Sequence, residues 1–293
     1  MDSGIKDFIS NILHSRTRRI NRNLYIDHVL RSTYASENKY IIVSGMPRSG
    51  TSLLSAMLNV HDELYAPSEY PLLVKEEFNS DIIALKCEYF GKNARQIRSE
   101  LKKYGWGRFI ENSIYQALKS NEASYFVTKS LLYNQYFQDI KNYCPNSRWI
   151  LMVRDGRDVS ISLMKYARYL NVPDPNLSFE QAIKIWLRFA NYVIDLKNRP
   201  ECLIVKYEDL ILETQETIKN ITNHIGVPFL PEMCEHHNQD FSDRSDVTLA
   251  WHQNLAKPII GDNVGKWKNI LTKEQDKYFI SVASKEMIQL GYF

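Results

Sequence analysis

The stretch Tyr40–Ser52, YIIVSGMPRSGTS, constrains this chain more than any other. Tyr40-Ile41-Ile42-Val43 has the β-branched density and length of a buried parallel strand, and Thr51–Val60 carries Leu53, Leu54, Met57 and Leu58 at helical spacing. Between them, Gly45, Pro47, Ser49 and Gly50 form a loop that leads into a helix N-terminus. Unpaired backbone N–H groups and the positive end of the helix dipole favour an anion there. A strand, a glycine loop and a helix in this order read as a phosphate loop that follows a buried parallel strand.

Against the template G-x-x-x-x-G-K-[ST], the segment from Gly45 to Ser52 keeps both glycines and the final hydroxyl but puts Thr51 in the lysine slot. A triphosphate would lose its main counter-charge. The cation here is Arg48, inside the loop, so a ligand with a shorter 5′ anion is favoured over ATP. A bare glycine turn without a ligand is the competing reading. The convergence of two glycines, Arg48 and two hydroxyls argues against it.

With 293 residues and 44% apolar content, the chain can bury the core of one large domain. We expect a single domain over 1–293, with an N-terminal helical extension over 1–38 and a helical insertion over 71–120 that covers the active site. A net charge of +3 is too small at this length to make nucleic acid the main partner. Cys87, Cys144, Cys202 and Cys234 are widely spaced and form neither a disulfide framework nor a zinc pattern, which fits reduced thiols in a cytoplasmic setting. The N-terminus carries charges throughout, and no stretch approaches the roughly 18 apolar residues of a spanning helix, so no transmembrane segment is expected.

Along the chain, His61–Tyr70 is turn-rich, with a short strand at Leu64-Tyr65 and the carboxylates Glu63 and Glu69. Tyr125–Lys129, Trp149–Val153 and Cys202–Lys206 are further strands. Helical patterns over Leu132–Tyr143, after Arg154-Asp155-Gly156-Arg157-Asp158, and after the capping box Ser178–Gln181 alternate with them. Another helix follows Tyr207-Glu208-Asp209 and ends near Gly226, and a second capping box, Thr272–Gln275, opens the last one. Strand–helix alternation predicts a three-layer α/β fold, a central parallel sheet of four or five strands flanked by helices.

Arg154 directly follows an apolar strand, and Ser162 lies about one turn inside the next helix, so both can reach one anion beside the first loop. This implies a second phosphate site. A metal-binding acidic residue after the strand, as in ATPases, is the alternative, but Arg154 occupies its place; a structural Arg–Asp surface loop is another. Cys234-Glu235-His236-His237 invites a metal reading, yet adjacent histidines rarely face one ion, so no metal is expected. Trp186 and Trp267 read as core or pocket packing.

These motifs together resemble the sulfotransferases that use 3′-phosphoadenosine-5′-phosphosulfate. PRSGTS, comprising Pro47, Arg48, Ser49, Gly50, Thr51 and Ser52, is similar to that family's 5′-phosphosulfate loop, and Arg154 with Ser162 in RDGRDVSIS to its 3′-phosphate pair. Tyr207 in KYEDL is similar to its adenine-contacting tyrosine, and Gly265, Lys266 and Trp267 in GKWKN to its nucleotide-side C-terminal segment. The resemblance runs from about Tyr40 to Phe293. With Lys257-Pro258 added, it is greatest to the tyrosylprotein sulfotransferases and their soluble bacterial-type relatives.

That resemblance implies Glu69 as general base and Lys129 as catalytic lysine, with Arg48 and Lys257 at the donor. The strand-end histidine of cytosolic sulfotransferases is replaced in Lys129-Ser130-Leu131. Pro71 and Lys75 stand where tyrosylprotein sulfotransferases grip acidic peptide with arginines, and the Golgi anchor of those enzymes has no counterpart in the pattern. The implied activity is sulfuryl transfer to an acceptor hydroxyl or amine, on peptide tyrosine, a small molecule, a sugar or a lipid, without a metal; a homodimer is compatible. The alternatives are a phosphate-loop kinase and a non-catalytic nucleotide-binding protein.

Overall fold

A computed structural model describes residues 35–67, 93–169, 176–239 and 255–293. The expected N-terminal extension therefore falls outside the described residues up to residue 34, and the expected insertion does so over 71–92.

The centre is β1 (Tyr40–Gly45), buried along its whole length. It lies in a five-stranded sheet of order β2-β3-β1-β4-β5, with β2 at Leu64–Tyr65, β3 at Tyr125–Lys129, β4 at Arg148–Val153 and β5 at Cys202–Lys206. Every pairing is parallel; β1 aligns Val43 with Lys129 of β3 and Gly45 with Met152 of β4. The strand count and direction agree with the expectation.

A strand buried on both faces must be apolar at every position, and successive side chains then feed two cores. Tyr40 and Ile42 join Trp149 and Leu151 on one face, packed by Phe109 and Ile110 of α2 (Ala94–Ser120), Trp186 and Phe189 of α5 (Phe179–Leu196) and Phe279 of α9 (Lys273–Gln289). Ile41 and Val43 join Ile150 and Met152 on the other, packed by Leu54 and Met57 of α1 (Thr51–Leu58) and Ile218 and Ile221 of α7 (Thr214–Ile225). The capping boxes at Ser178 and Thr272 form as read, and a third, Asn93 with Gln96, opens α2.

Two helical expectations change in detail. Residues Leu131–Tyr136 form a tighter 3₁₀ turn before α3 (Phe137–Tyr143), because Tyr133 bonds Thr128 and Asn134 donates to the Gly45 carbonyl, drawing the turn onto the strand ends. The helix after β5 splits into α6 (Tyr207–Leu212) and α7 where Thr214 Oγ1 donates to the Leu210 and Ile211 carbonyls. The remaining described helices are α4 (Gly156–Tyr169) and the short α8 (Trp267–Ile270). No described helix is long and apolar enough to cross a membrane.

Candidate active site

In an open parallel sheet the ligand crevice lies beyond the strand C-termini, where the strand order reverses around the first strand. That strand is β1, and its last residue shows why the loop needs glycine. Gly45 has φ +136, and a Cβ there would sit 2.1 Å from the Met152 carbonyl oxygen. Only glycine lets β1 stay paired with β4 to its end and hand on the bond from Met46 N–H to the same carbonyl.

The loop is then wound tightly. Ser49 Oγ donates to the Met46 carbonyl at 2.6 Å, Arg48 takes the left-handed region at φ 63, and Gly50, also left-handed at φ 87, begins α1. Gly50 supplies no side-chain cap and no acidic residue stands in the first turn of α1, so the positive end of this helix is not neutralised locally. Arg48 in this region is strained for a non-glycine residue, and Arg154 Nη1 braces it by donating to its carbonyl at 3.1 Å.

Neighbouring strand ends bring further cations to this loop. Lys129, the last residue of β3, is buried and donates from Nζ to Ser52 Oγ at 2.8 Å. Its strand end is fastened by Ser44 Oγ donating to the Ser130 carbonyl. From β4, Arg154 is buried with its guanidinium 4.4 Å from the centre of the Tyr207 ring. Arg48 Nε donates to Ser162 Oγ at 3.0 Å, so the first loop and α4 meet directly. Ser162 lies nearly two turns into α4, deeper than the single turn expected, because the helix begins at Gly156.

Tyr207 is wedged under the loop: a Cβ on Gly50 would lie 2.6 Å from its Cδ2. Burial raises its phenol above the ordinary range, opposed by the nearby Arg154 charge. Glu208 beside it accepts from Asp155 N–H and from the Tyr292 hydroxyl; burial likewise raises its carboxyl.

Gly265 and Trp267 come to the same end of the sheet, held by Asp158, while Lys266 and Lys257 are exposed. Trp267 lies 3.6 Å from the Arg157 guanidinium, and Trp186 is core, donating from Nε1 to the Arg154 carbonyl. Glu69, Pro71 and Lys75 lie outside the described residues. His236 and His237 sit in a 3₁₀ segment, Pro231–Asn238, and among the described residues no group of three His, Cys, Asp or Glu could hold a metal. Sequence reasoning missed Asp158 and the Asn263 carbonyl, which accepts from Arg154 Nη2. The four-residue step from Arg154 to Asp158 was the available signal for the first; nothing local marks the second.

A model of the sulfotransferase family matches residues 41–231, from the second residue of β1 past the end of α7. The chain belongs to the sulfotransferase family. Protein-tyrosine sulfotransferase A of Caenorhabditis elegans is 25% identical over 88% of this chain and 68% of its own length. Protein-tyrosine sulfotransferase 1 of Danio rerio is 25% identical over 96% of this chain and 78% of its own. Mouse sulfotransferase SULT7A1, solved with PAP, shares the fold at a TM-score of 0.55 and 17% identity, over 90% of this chain and 89% of that one. This sulfotransferase is thus an enzyme with the phosphate-loop fold, and the resemblance to tyrosylprotein sulfotransferases holds.

The expected cytoplasmic location is corrected by the same relatives. Both are protein-tyrosine sulfotransferases, the enzymes of the Golgi membrane whose anchor the N-terminal pattern did not show. The cysteine argument behind the expectation was weak for a physical reason. Cys144 is buried with its thiol pushed up by burial, and such a thiol stays unreactive in an oxidising compartment as well.

Proposed function

We propose that this sulfotransferase takes its sulfuryl group from 3′-phosphoadenosine-5′-phosphosulfate and passes it to an acceptor hydroxyl or amine. The observation that carries the reading is the junction at Arg48. This one loop residue touches Ser162 through its side chain and Arg154 through its carbonyl, so two anion sites adjoin within one crevice. The second site also fits an anion. Arg154 Nε is buried without a hydrogen-bond partner among the described residues, and a buried donor of that kind is costly unless something accepts from it. The PAP in the mouse relative's crystal supports the same donor.

In this reading Pro47, Arg48, Ser49, Gly50, Thr51 and Ser52 hold the 5′ end, Arg154 and Ser162 hold the 3′-phosphate, and Tyr207, Lys257, Gly265, Lys266 and Trp267 surround the nucleoside. The bound donor supplies an activated sulfuryl group on a nucleotide leaving group. Lys129 and Arg48 offset the negative charge that develops as the S–O bond breaks, and positioning with charge stabilisation carries most of the rate. Glu69 takes the proton from the acceptor as the new bond to sulfur forms. The relatives' names support protein tyrosine as one acceptor class; Pro71 and Lys75 in place of arginines favour a less acidic partner.

Transfer of labelled sulfate from the donor to a panel of peptides, phenols, sugars and lipids tests the reaction and selects the acceptor. Calorimetry tests the two-site donor: adenosine 3′,5′-bisphosphate should bind far more tightly than AMP, and Arg154→Ala should remove most of that preference. A lost charge-assisted contact is worth about ten- to a hundredfold in affinity. Equal affinity for the two nucleotides in the unmodified protein refutes the reading.

A further inference from the structure

Arg154, Asp158 and Ser162 recur every fourth residue where β4 passes into α4: Asp158 and Ser162 share one face of the helix, and Arg154 lies two residues before its start. The outer two are the proposed 3′-phosphate pair. The middle one is buried, and both its oxygens are engaged by a distant part of the chain. Asp158 Oδ2 accepts from Gly265 N–H and Oδ1 from Trp267 N–H, each at 2.8 Å. Arg154 grips the same turn, donating from Nη2 to the Asn263 carbonyl at 2.5 Å, while its other terminal nitrogen donates to the Arg48 carbonyl.

Two carbonyls on separate elements therefore fix the plane of the Arg154 guanidinium. One of them, Asn263, closes a 3₁₀ segment of only 3 residues, Gly261–Asn263, and the turn after it runs into α8, a helix of only 4 residues. Helices of that length do not hold themselves. Gly265 is left-handed at φ +69, and its N–H points at Asp158. The Asp158 carboxylate is the clasp that keeps this turn against α4.

We propose that Asp158 is a positioning residue for the donor's 3′-phosphate, acting through the 263–267 turn on Arg154. The inference rests on reading Arg154 and Ser162 as the 3′-phosphate pair. One effect opposes it: Asp158 Oδ2 lies 3.7 Å from Arg154 Nη2, and its negative charge works against a bound anion. Two short charge-assisted hydrogen bonds to backbone outweigh a single contact at that distance, so removing the carboxylate costs affinity on balance.

The test is calorimetric titration of the full chain with adenosine 3′,5′-bisphosphate and, separately, with AMP, in the unmodified protein, Asp158→Asn and Asp158→Ala, with circular dichroism to verify folding. Asp158→Asn keeps the shape and one acceptor, and should lose about tenfold in bisphosphate affinity, while AMP, which shares only the nucleoside contacts of Gly265 and Trp267, loses by a clearly smaller factor. Asp158→Ala should lose more. Where Asp158→Ala fails to fold, Asp158→Asn carries the comparison alone. Equal weakening of both nucleotides marks a purely structural role and overturns the proposal, as does a variant that binds the bisphosphate as tightly as the parent. Absence of any bisphosphate preference in the unmodified protein is a separate result, which removes the 3′-phosphate reading itself.

Discussion

Three glycines with positive φ make a graded test of the loop geometry, since alanine at each meets different surroundings. Gly226 caps α7 at φ +73, and an added Cβ meets only the Lys39 ammonium at 3.1 Å, the end of a flexible side chain. Its cost is the left-handed backbone alone, about 1–2 kcal/mol. At Gly50 the same strain applies, and the Cβ would lie 2.6 Å from Tyr207 Cδ2 and 3.1 Å from Cε2, so the wedged ring must move. Overpacking of that kind adds about 1–3 kcal/mol. At Gly45 the obstacle is backbone: Met152 O, N and C at 2.1, 2.6 and 2.8 Å, inside the β1–β4 ladder. Nothing there can rotate away, so the strands must part and the Met46–Met152 bond is lost, which we expect to cost about 4 kcal/mol or more. Urea unfolding of the three alanine variants should give the order Gly45, Gly50, Gly226 from most to least destabilised, with the midpoint shifting at constant slope. Bisphosphate binding should weaken in Gly50→Ala, because the Tyr207 ring that moves lies against Arg154, and persist in Gly226→Ala. If Gly45→Ala unfolds at the same urea concentration as Gly226→Ala, the close approach of β1 to β4 is wrong and the loop's geometry with it.

Glu69→Gln should lower kcat by about a hundred- to ten-thousandfold while nucleotide affinity holds, with Glu63→Gln as control; near-normal turnover on the true acceptor removes Glu69 as base. Sulfuryl transfer should survive EDTA, whereas strict Mg²⁺ dependence together with γ-phosphate transfer from ATP would establish the kinase alternative. Burial holds the Glu208 carboxyl above its ordinary value, against the opposing pull of Asp155 N–H, the Tyr292 hydroxyl and Arg154. A group raised in the folded state stabilises in acid, and that contribution is lost as pH rises through its folded value, so the stability of Glu208→Gln relative to the parent should improve from acid to neutral pH in urea titrations; a flat difference contradicts the assigned direction.

The parallel sheet was legible because burial on both faces forces an uninterrupted apolar run, which Tyr40–Val43 and Trp149–Val153 display without help from the rest of the chain. The loop was legible for a local reason too, since Gly45 and Gly50 are spaced for one turn before a helix. What a single sequence hides is long-range hydrogen bonding. The Lys129 bond to Ser52 and the Arg48 bond to Ser162 join residues far apart in the chain, and only motif resemblance put them in one site. Asp158 escaped notice although it sits inside a motif already singled out, because its partners are backbone N–H groups, which no side-chain pattern reveals. The break at Thr214 escaped for a similar reason: a hydroxyl returning to carbonyls on the preceding turn looks like any other helical threonine.

The replacement of the loop lysine by Thr51 gains a structural meaning once the strand order is known. The proposed cations do not come from one loop: Lys129 ends β3, Arg48 follows β1 and Arg154 follows β4, and these three strands are neighbours in the order β3-β1-β4. Adjacent strands lie about 4.8 Å apart, so the three positions form a row about 10 Å across the mouth of the sheet. A lysine in the loop would concentrate charge along a linear triphosphate. A row spread over three strands instead suits a ligand whose anionic groups branch from opposite ends of a sugar. The central cation, Arg48, is also the one bonded to Ser162, so in the proposed reading its placement serves both anions at once. In this sense the proposed preference for a donor phosphorylated at both the 3′ and 5′ positions is rooted in which strands lie beside β1.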